Sequence, residues 1–547
     1  MTQRRGRVGI GLALARTRDG REQVDGAVCF RVDGSLHAIA EERISRLKHD
    51  GSTWRALRFG MARFGLAPGD VDHVAISTCG EIPPAHDGEF PLRTDGRLDL
   101  RDFEFPVEVV QIISSHHFSH ACEALHAARS VGRLFEPAMV FVADRIGQPG
   151  EHQSLYLYTD RGVELVHRDR VDEGFTTGVG EVYDLVTEHL GWRQSFDAGK
   201  VMALAGTVPR PNIRSPRLIA AESGAIRTLL PSDPERRLAA LADFCEPSPI
   251  RSRLMVAGAH LATRLQAELE AAVIAGLDHW RRILCPRAIY LSGGVATNCR
   301  LLGAIQTAFP DLVVQGSLAP GDTGQGIGNL IARDFLRTGK LHFAEKAVPR
   351  SGFWPDEPVA PPPHSNLRLP RLGIRFVVNE PKKGIDDLVD DLLQGTILAM
   401  SLGPLEPGPR ALGFHSFIAD ARRTDLRERL NIDIKRREPF QPFGCLMSAA
   451  AALRWFGDDQ RSPFMDLALE APEEFRRLFP AVVHLDGTVR IQTLGPLLVG
   501  TLVGHIMDEL DRREGYAVLV NTSLNLRDAP MGFDWREAAE GLALTQQ

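Results

Sequence analysis

His116 and His120 stand four residues apart in the stretch Ser115-His116-His117-Phe118-Ser119-His120. On a helix that spacing puts both imidazoles on one face, one turn apart. The residues that follow, Ala121 to Ala128, are strong helix formers, so the reading is a helix opening near Ser115. Two such imidazoles can hold a metal ion if carboxylates approach from elsewhere in the chain. The same pair also reads as two satisfied histidines at a helix start, and spacing alone does not choose. His117 points off the face shared by the other two.

Other residues of chemical interest sit at element ends. Asp144 closes the apolar run Ala138 to Ala143. A carboxylate at the C-terminal end of a strand points into the crevice where α/β folds bind ligands. Asp322 stands at a helix entry among Gly321, Gly324 and Gly326. Gly293 and Gly294 form a turn between a strand and the helix start at Asn298. Glycines there let backbone N–H groups approach a phosphate, and the helix dipole favours its charge. In the second half, Arg410 is the only cation in the Gly- and Pro-fixed loop Gly403 to Gly413, and Lys435, Arg436 and Arg437 lie beside aromatics. Asn521, Ser523 and Asn525 follow the strand Tyr516 to Val520, and such groups suit a carbonyl or phosphate ligand. Surface solubility and turn chemistry account for the same residues equally well. The run Glu41 to Asp50 reads as a solvated charged face, which charge alone cannot decide.

The elements that must position these groups follow from pattern. Three short apolar runs between Val8 and Ala40 read as strands, the last two joined by an Asp33-Gly34 hairpin turn. Leu155 to Tyr158 and Val163 to His167 read as strands, and Glu181 to Leu190 and Met255 to Leu284 as helices. Residues 207–250 read as an irregular insertion. Ile385 to Leu393 and Leu426 to Ile434 read as helices and Thr396 to Ser401 as a strand. Seven prolines between Pro349 and Pro370 mark a linker over 346–372, separating a domain at 1–345 from one at 373–547.

Composition narrows the classes. Apolar residues make up 44% and charged residues 24%, as in an ordinary globular protein of two or three domains. The net charge is −6, without a dense basic cluster, which disfavours a nucleic-acid partner. The basic N-terminus carries too short an apolar run for a signal peptide, and no run suits a membrane. Seven scattered cysteines with no C-x-x-C argue for a reducing cytoplasm.

Taken in order, the motifs resemble the O-carbamoyltransferases of the NodU/CmcH type. The match runs through Glu41-Glu42-Arg43 with Lys48-His49-Asp50, His116 to His120, Asp144 and Gly199 to Ala205. It continues through Ser292 to Asn298, Gly321 to Gly328, Gly408 to Gly413, Asn431 to Phe443 and Asn521 to Asn525. The resemblance implies an α/β chain: an actin-like, two-lobed TsaD-like domain of ribonuclease-H-like sheets, followed by a YrdC-like domain. It implies ATP, with Mg2+, and carbamoyl phosphate as substrates, a carbamoyladenylate intermediate, and a hydroxyl of a natural product or sugar as acceptor. It leaves room for a homodimer. His116, His120, Asp144 and Asp322 would hold a divalent metal, iron by the family's pattern. Gly293, Gly294 and Asn298 would cradle the nucleotide. Arg410 and Lys435, with Arg437 as a third cation, would bind phosphates, and Asn521, Ser523 and Asn525 the carbamoyl group or a phosphate.

Some positions depart from that pattern. No histidine precedes His37, where the family carries a His-Asp pair, so His49 or His117 would replace it. Gln441 and His415 stand for arginines, and Arg145 for a glycine. The alternatives are a decayed nucleotide-binding relative, a tRNA-modifying TsaD relative, which acidic charge disfavours, and a metallohydrolase, which leaves the second domain unexplained.

Overall fold

The structure is a computed structural model. It describes residues 7–15, 25–79, 98–100, 103–145, 147–148, 150–244, 255–343, 368–378, 384–403, 405–457, 462–526, 529–532, 536 and 539. The chain divides into two units, Met1–Glu41 with His49–Ala347, and Glu42–Lys48 with Val348–Gln547. Of the Pro-rich stretch, residues 346–367 lie outside the described residues.

The first unit begins with β1 (Gly9–Ala15), β2 (Ala27–Val32), β3 (Ser35–Ala40) and β4 (His73–Cys79). A small hairpin of β5 (Leu98–Leu100) and β6 (Phe103–Phe105) precedes β7 (Val110–Ile113). The sheet order is β3-β2-β1-β4-β7, with β2 antiparallel to both neighbours and β4 parallel to β1 and β7. Asp33 and Gly34, both at positive φ, make the expected tight turn between β2 and β3.

A second sheet repeats the plan. It uses β8 (Ala138–Ala143), β9 (Gln153–Thr159), β10 (Gly162–Arg168), β13 (Ala288–Ser292) and β14 (Val313–Gln315) in the order β10-β9-β8-β13-β14. Strand directions match the first sheet position for position. This duplicated order is the ribonuclease-H-like arrangement. The helix His116–Ser130 serves both sheets. Its Cys122 packs with Cys29, Ala75 and Ile113 of the first, while Ala121, Ala124, Leu125 and Ala128 pack with Val140, Val142 and Tyr290 of the second.

Close packing of that helix depends on small residues. A Cβ on Gly328, in the helix Gln325–Thr338, would meet the Ser119 carbonyl oxygen at 2.0 Å. A Cβ on Gly11 of β1 would meet the Gly326 carbonyl oxygen at 1.9 Å. Buried hydrogen bonds then fix the helices. Ser119 donates to Asn329 Oδ1 (2.5 Å), Asn329 to the Leu12 carbonyl (2.6 Å), and Gln325 to the His116 carbonyl (3.2 Å).

Several elements differ from the sequence reading. Residues 207–250 are not irregular throughout: they hold β11 (Ile219–Glu222), β12 (Ala225–Thr228) and the helix Pro234–Ala242. The cause is remote. Glu268, buried on the long helix Met255–Leu284, accepts from the amides of Arg217, Leu218 and Ile219. A local pattern cannot reveal such a partner.

Glu41–Ser45 forms a helix in which Glu41, Glu42 and Arg43 are buried, so it is not a solvated face. Glu41 accepts from the amides of Arg55 and Ala56. A buried carboxylate with two amide donors needs no solvent.

The second unit is one mixed sheet. Its strands are β15 (Arg368–Leu369), β16 (Ile374–Val378), β17 (Ile397–Ser401), β18 (His415–Asp420), β19 (Gly444–Met447), β20 (Leu467–Glu470), β21 (Thr488–Thr493) and β22 (Val518–Ser523), in the order β15-β16-β17-β18-β22-β19-β21-β20. Asn521 and Ser523 lie inside β22, paired to β18 and β19, and not beyond its end. The stretch Leu426–Ile434 is helical but turns π-helical from Arg429, with the Lys435 amide bonded five residues back to Leu430. Among the described residues no helix is long and apolar enough to cross a membrane.

Gly328→Ala forces a Cβ against a backbone oxygen that has no rotamer to retreat into. It should lower stability by about 1–3 kcal/mol. Urea unfolding followed by intrinsic fluorescence checks this, and an unchanged midpoint would refute the close-packing account.

Candidate functional site

Three element ends in the first unit converge. His116 and His120 occupy the first turns of the helix His116–Ser130, which Ser115 caps by accepting from the Phe118 amide (3.0 Å). Asp144 follows β8. Asp322 opens the 3-10 turn Asp322–Gly324 ahead of the next helix. One ligand atom from each lies within 4.8 Å of all the others. His120 Nε2 is 3.1 Å from Asp144 Oδ2 and 3.4 Å from Asp322 Oδ1, and His116 Nε2 is 3.2 Å from Asp322 Oδ1. The two Nε2 atoms face each other at 3.2 Å.

The donor set fits a divalent cation. At most one proton can lie between two nitrogens 3.2 Å apart. Asp144 Oδ2 is buried and has no hydrogen-bond donor. Burial alone would lower the His116 imidazole, yet Asp322 and Asp144 outweigh it and raise it to about 10. Burial would raise Asp322, but His116 brings it down to about 2, and both imidazoles hold Asp144 well below the usual carboxylate range. Such a cluster calls for positive charge at its centre. Two imidazoles and two carboxylates suit a borderline divalent metal with open positions.

Neighbouring groups orient the four. His120 Nδ1 lies 3.4 Å from Ser292 Oγ, which reaches Glu123 Oε2 and the Pro320 carbonyl, both at 3.3 Å. That contact turns His120 Nε2 toward the centre. Burial raises Glu123 to about 7. Gly293, at φ +87°, sits where a Cβ would meet the Ala143 carbonyl oxygen at 2.2 Å, and a Cβ on Gly294 would come within 3.0 Å of Asp144 Oδ1. The glycine pair therefore lets this turn pass directly beside the ligand carboxylate. Asn298 caps the next helix by accepting from Leu301, and exchanges hydrogen bonds with Gln266.

His117 points elsewhere: its Nδ1 meets Ser154 Oγ at 2.8 Å, and burial lowers it to about 3. His49 forms a pair that the linear sequence did not announce. Its Nδ1 is 2.7 Å from Asp25 Oδ1, and its ring meets the edge of Phe196. The other Asp25 oxygen would lie 3.9 Å from a Cβ on Gly321, next to Asp322. Arg145 is held by Asp184 and Ser195.

In the second unit, Lys435, Ser523 and Asn525 come together. Lys435 Nζ donates to Ser523 O (2.6 Å), Ser523 Oγ (3.1 Å), Asn525 O (3.4 Å) and Asn525 Oδ1 (2.9 Å). Burial first, then Arg437 and Lys48, hold this lysine well below its ordinary range. Arg410 is placed apart from this trio's hydrogen bonds and donates to the Met465 carbonyl at 2.8 Å. Arg437 is committed internally to Asn431 and the Pro442 carbonyl. Asn521 donates to the Ala411 carbonyl and to Gln492.

The loop carrying Arg410 is shaped by Glu406, which sequence reasoning passed over. Its Oε1 accepts from the amides of Leu412, Phe414 and His415 at 2.9–3.1 Å, and Oε2 lies 3.3 Å from His415 Nδ1. His415 and Gln441, at two positions read as lost arginines, are thus tied to Glu406 and Glu438.

Comparison with known proteins agrees with both halves. Residues 105–331 match the family model for the carbamoyltransferase N-terminus, and residues 389–546 that for the carbamoyltransferase C-terminus. Nodulation protein NolNO of Sinorhizobium fredii is 25% identical over 93% of this chain and 75% of its own length. Nodulation protein U of Bradyrhizobium diazoefficiens is 26% identical over 92% of this chain and 90% of its own. HypF of T. kodakarensis aligns with a TM-score of 0.40 at 13% identity, over 61% of this chain and 48% of that one. The chain belongs to the carbamoyltransferase family. It is a NodU-like enzyme that transfers a carbamoyl group.

Burial would raise Glu406, but His415 and the loop amides hold it below its ordinary value of 4.5. A carboxylate depressed in the folded state stabilises above its unfolded value and loses that contribution as pH falls through its folded value. Glu406→Gln should therefore cost about 1–3 kcal/mol near neutral pH. The gap from wild type in urea midpoint should narrow below about pH 4.5. A gap constant down to about pH 3 would contradict this role.

Proposed function

We propose that the chain is an ATP-dependent O-carbamoyltransferase that activates carbamoyl phosphate in the second unit and transfers the carbamoyl group to a hydroxyl in the first. Lys435 carries the reading: it is 3% exposed, and all its hydrogen bonds go to neutral oxygens. A buried lysine without a carboxylate partner holds its charge best when an anion is beside it, and phosphate is the anion that the family resemblance supplies. On that resemblance the second unit is YrdC-like, and Arg410 joins Lys435 in holding phosphates.

The proposed chemistry has two steps. Water cleaves carbamoyl phosphate to carbamate and phosphate, and a carbamate oxygen attacks the ATP α-phosphorus, expelling pyrophosphate. The acceptor hydroxyl then attacks the carbonyl carbon of carbamoyladenylate, forming the carbamate ester and releasing AMP. In the first unit, His116, His120, Asp144 and Asp322 would hold a divalent metal, iron by resemblance. When bound, it supplies Lewis-acid charge to the phosphate and carbonyl oxygens. His49 takes the hydroxyl proton at Nε2, while Asp25 accepts from Nδ1 and keeps the ring in that tautomer. The acceptor is a hydroxyl of a natural product or sugar.

Purified protein given ATP, Mg2+ and carbamoyl phosphate should release pyrophosphate only when both substrates are present. Release that ignores carbamoyl phosphate would defeat the activation step. His120→Ala should lose bound metal, read by elemental analysis, and lose acceptor carbamoylation while retaining pyrophosphate release. Retained metal at wild-type stoichiometry would remove His120 from the ligand set.

A further inference from the structure

Glu42–Lys48 lies early in the chain, yet it belongs to the second unit. Two arginines tie it there. Arg43, 2% exposed, donates from Nη2 to the Gly408 carbonyl at 3.0 Å, two residues before Arg410. Arg46 donates from Nη1 to the Met531 carbonyl at 2.8 Å and from Nη2 to the Pro530 carbonyl at 3.4 Å. Asn525 grips that second loop as well, through the Ala529 carbonyl at 2.6 Å, and presents its own oxygens to Lys435. The segment therefore holds the loop that carries Arg410 and the loop that Asn525, a partner of Lys435, also grips.

The alternative is plain packing, and the chemistry weighs against it. Burying a guanidinium is costly unless its donors are used. Arg43 faces Glu42 Oε1 at 3.4 Å, and its Nε is buried with no acceptor. An apolar side chain would fill this place at lower cost. A guanidinium is useful where a carbonyl must be held at a fixed position and positive potential kept near an anion.

We infer that Arg43 and Arg46 are positioning residues of the second unit's phosphate site, holding the Gly408–Gly413 loop and the 529–531 loop in register for a phosphate-bearing substrate. The inference rests on the activation step proposed above. Lys48, at the end of the same segment, adds its charge to the surroundings of Lys435.

The test uses the full chain with Arg43→Ala, Arg43→Lys and Arg46→Ala. A 1 Å error in positioning costs about 100-fold, so Arg43→Ala should lower kcat for pyrophosphate formation by roughly 10–100-fold. Because Arg43 holds the loop and not the substrate, KM for ATP should change less than kcat. Arg43→Lys, which can still donate to the Gly408 carbonyl, should restore part of the rate. Hydrogen exchange at residues 408–413 should quicken about tenfold in Arg43→Ala, with exchange in the helix His116–Ser130 unchanged. Wild-type rates and exchange in Arg43→Ala would overturn the inference, as would equal loss in the Lys variant. If wild-type protein forms no pyrophosphate, the activation reading falls, and the exchange comparison still decides whether Arg43 holds the loop.

Discussion

Asp144 and Asp322 are two half-buried carboxylates set against two buried imidazoles, and the first unit is arranged around keeping that cluster together. Asp144 stands just past the end of β8 and Asp322 at the start of a 3-10 turn, and the imidazoles both acids face come from a third element. The cluster exists only if β8, the turn at Asp322 and the helix His116–Ser130 meet at one point. The duplicated sheet order brings the parallel strands β8 and β13 side by side. Gly293 and Gly294 let the chain after β13 run past Ala143 and Asp144 without a side chain between them. The Gly328 contact and the Asn329 and Gln325 hydrogen bonds then set how far the two helices can slide. Small residues and buried amides thus decide where four charged groups stand.

The second unit meets the problem with both signs of charge. Glu406 is an acid surrounded by backbone amides, and Lys435 is a base surrounded by carbonyl, hydroxyl and amide oxygens. Using backbone groups fixes loop shape more tightly than side-chain pairing would, since backbone atoms have no rotamers to explore. Glu406 in this way shapes the loop from Leu412 to His415, and Asn521 and Gln492 hold its Ala411 and Leu412 carbonyls. Arg410 is presented from a loop whose conformation is specified on both sides.

Local pattern made much of this legible. The Asp-Gly hairpin, strands β1–β3, β8–β10 and β13, the Ser115-capped helix and the long helix from Met255 follow from periodicity and turn chemistry, whereas β4, β7 and β14 were not read. The convergence of His116, His120, Asp144 and Asp322 did not: their spacing spans more than two hundred residues, and family resemblance alone linked them before the fold did. What escaped sequence reasoning has one physical character. Glu268 ordering the hairpin at 219–228, Glu406 shaping the Arg410 loop and Asp25 pairing with His49 are all charged groups whose partners lie on other elements. A lone acid looks the same in sequence whether it is solvated or is the keystone of a loop.

The run from Glu41 to Asp50 shows why charge alone misleads. Its composition suits a surface, but surface ion pairs contribute little and would not require Glu41 and Arg43 to be buried. Glu41 is anchored by Arg55 and Ala56 in the first unit, and His49 by Asp25 there, while Arg43 and Arg46 find their acceptors in the second. The chain thus leaves one unit for seven residues and returns. Each buried charge in that excursion ends on a backbone group or an opposite charge, as desolvation demands. An excursion so short carries little apolar area to hold it in place. Its register in the second unit must then come from directed hydrogen bonds, and the two that define it land on the carbonyls of Gly408 and Met531. Those carbonyls belong to the loops on which Arg410 and Asn525 depend, so the excursion and these two loops constrain the same few backbone atoms.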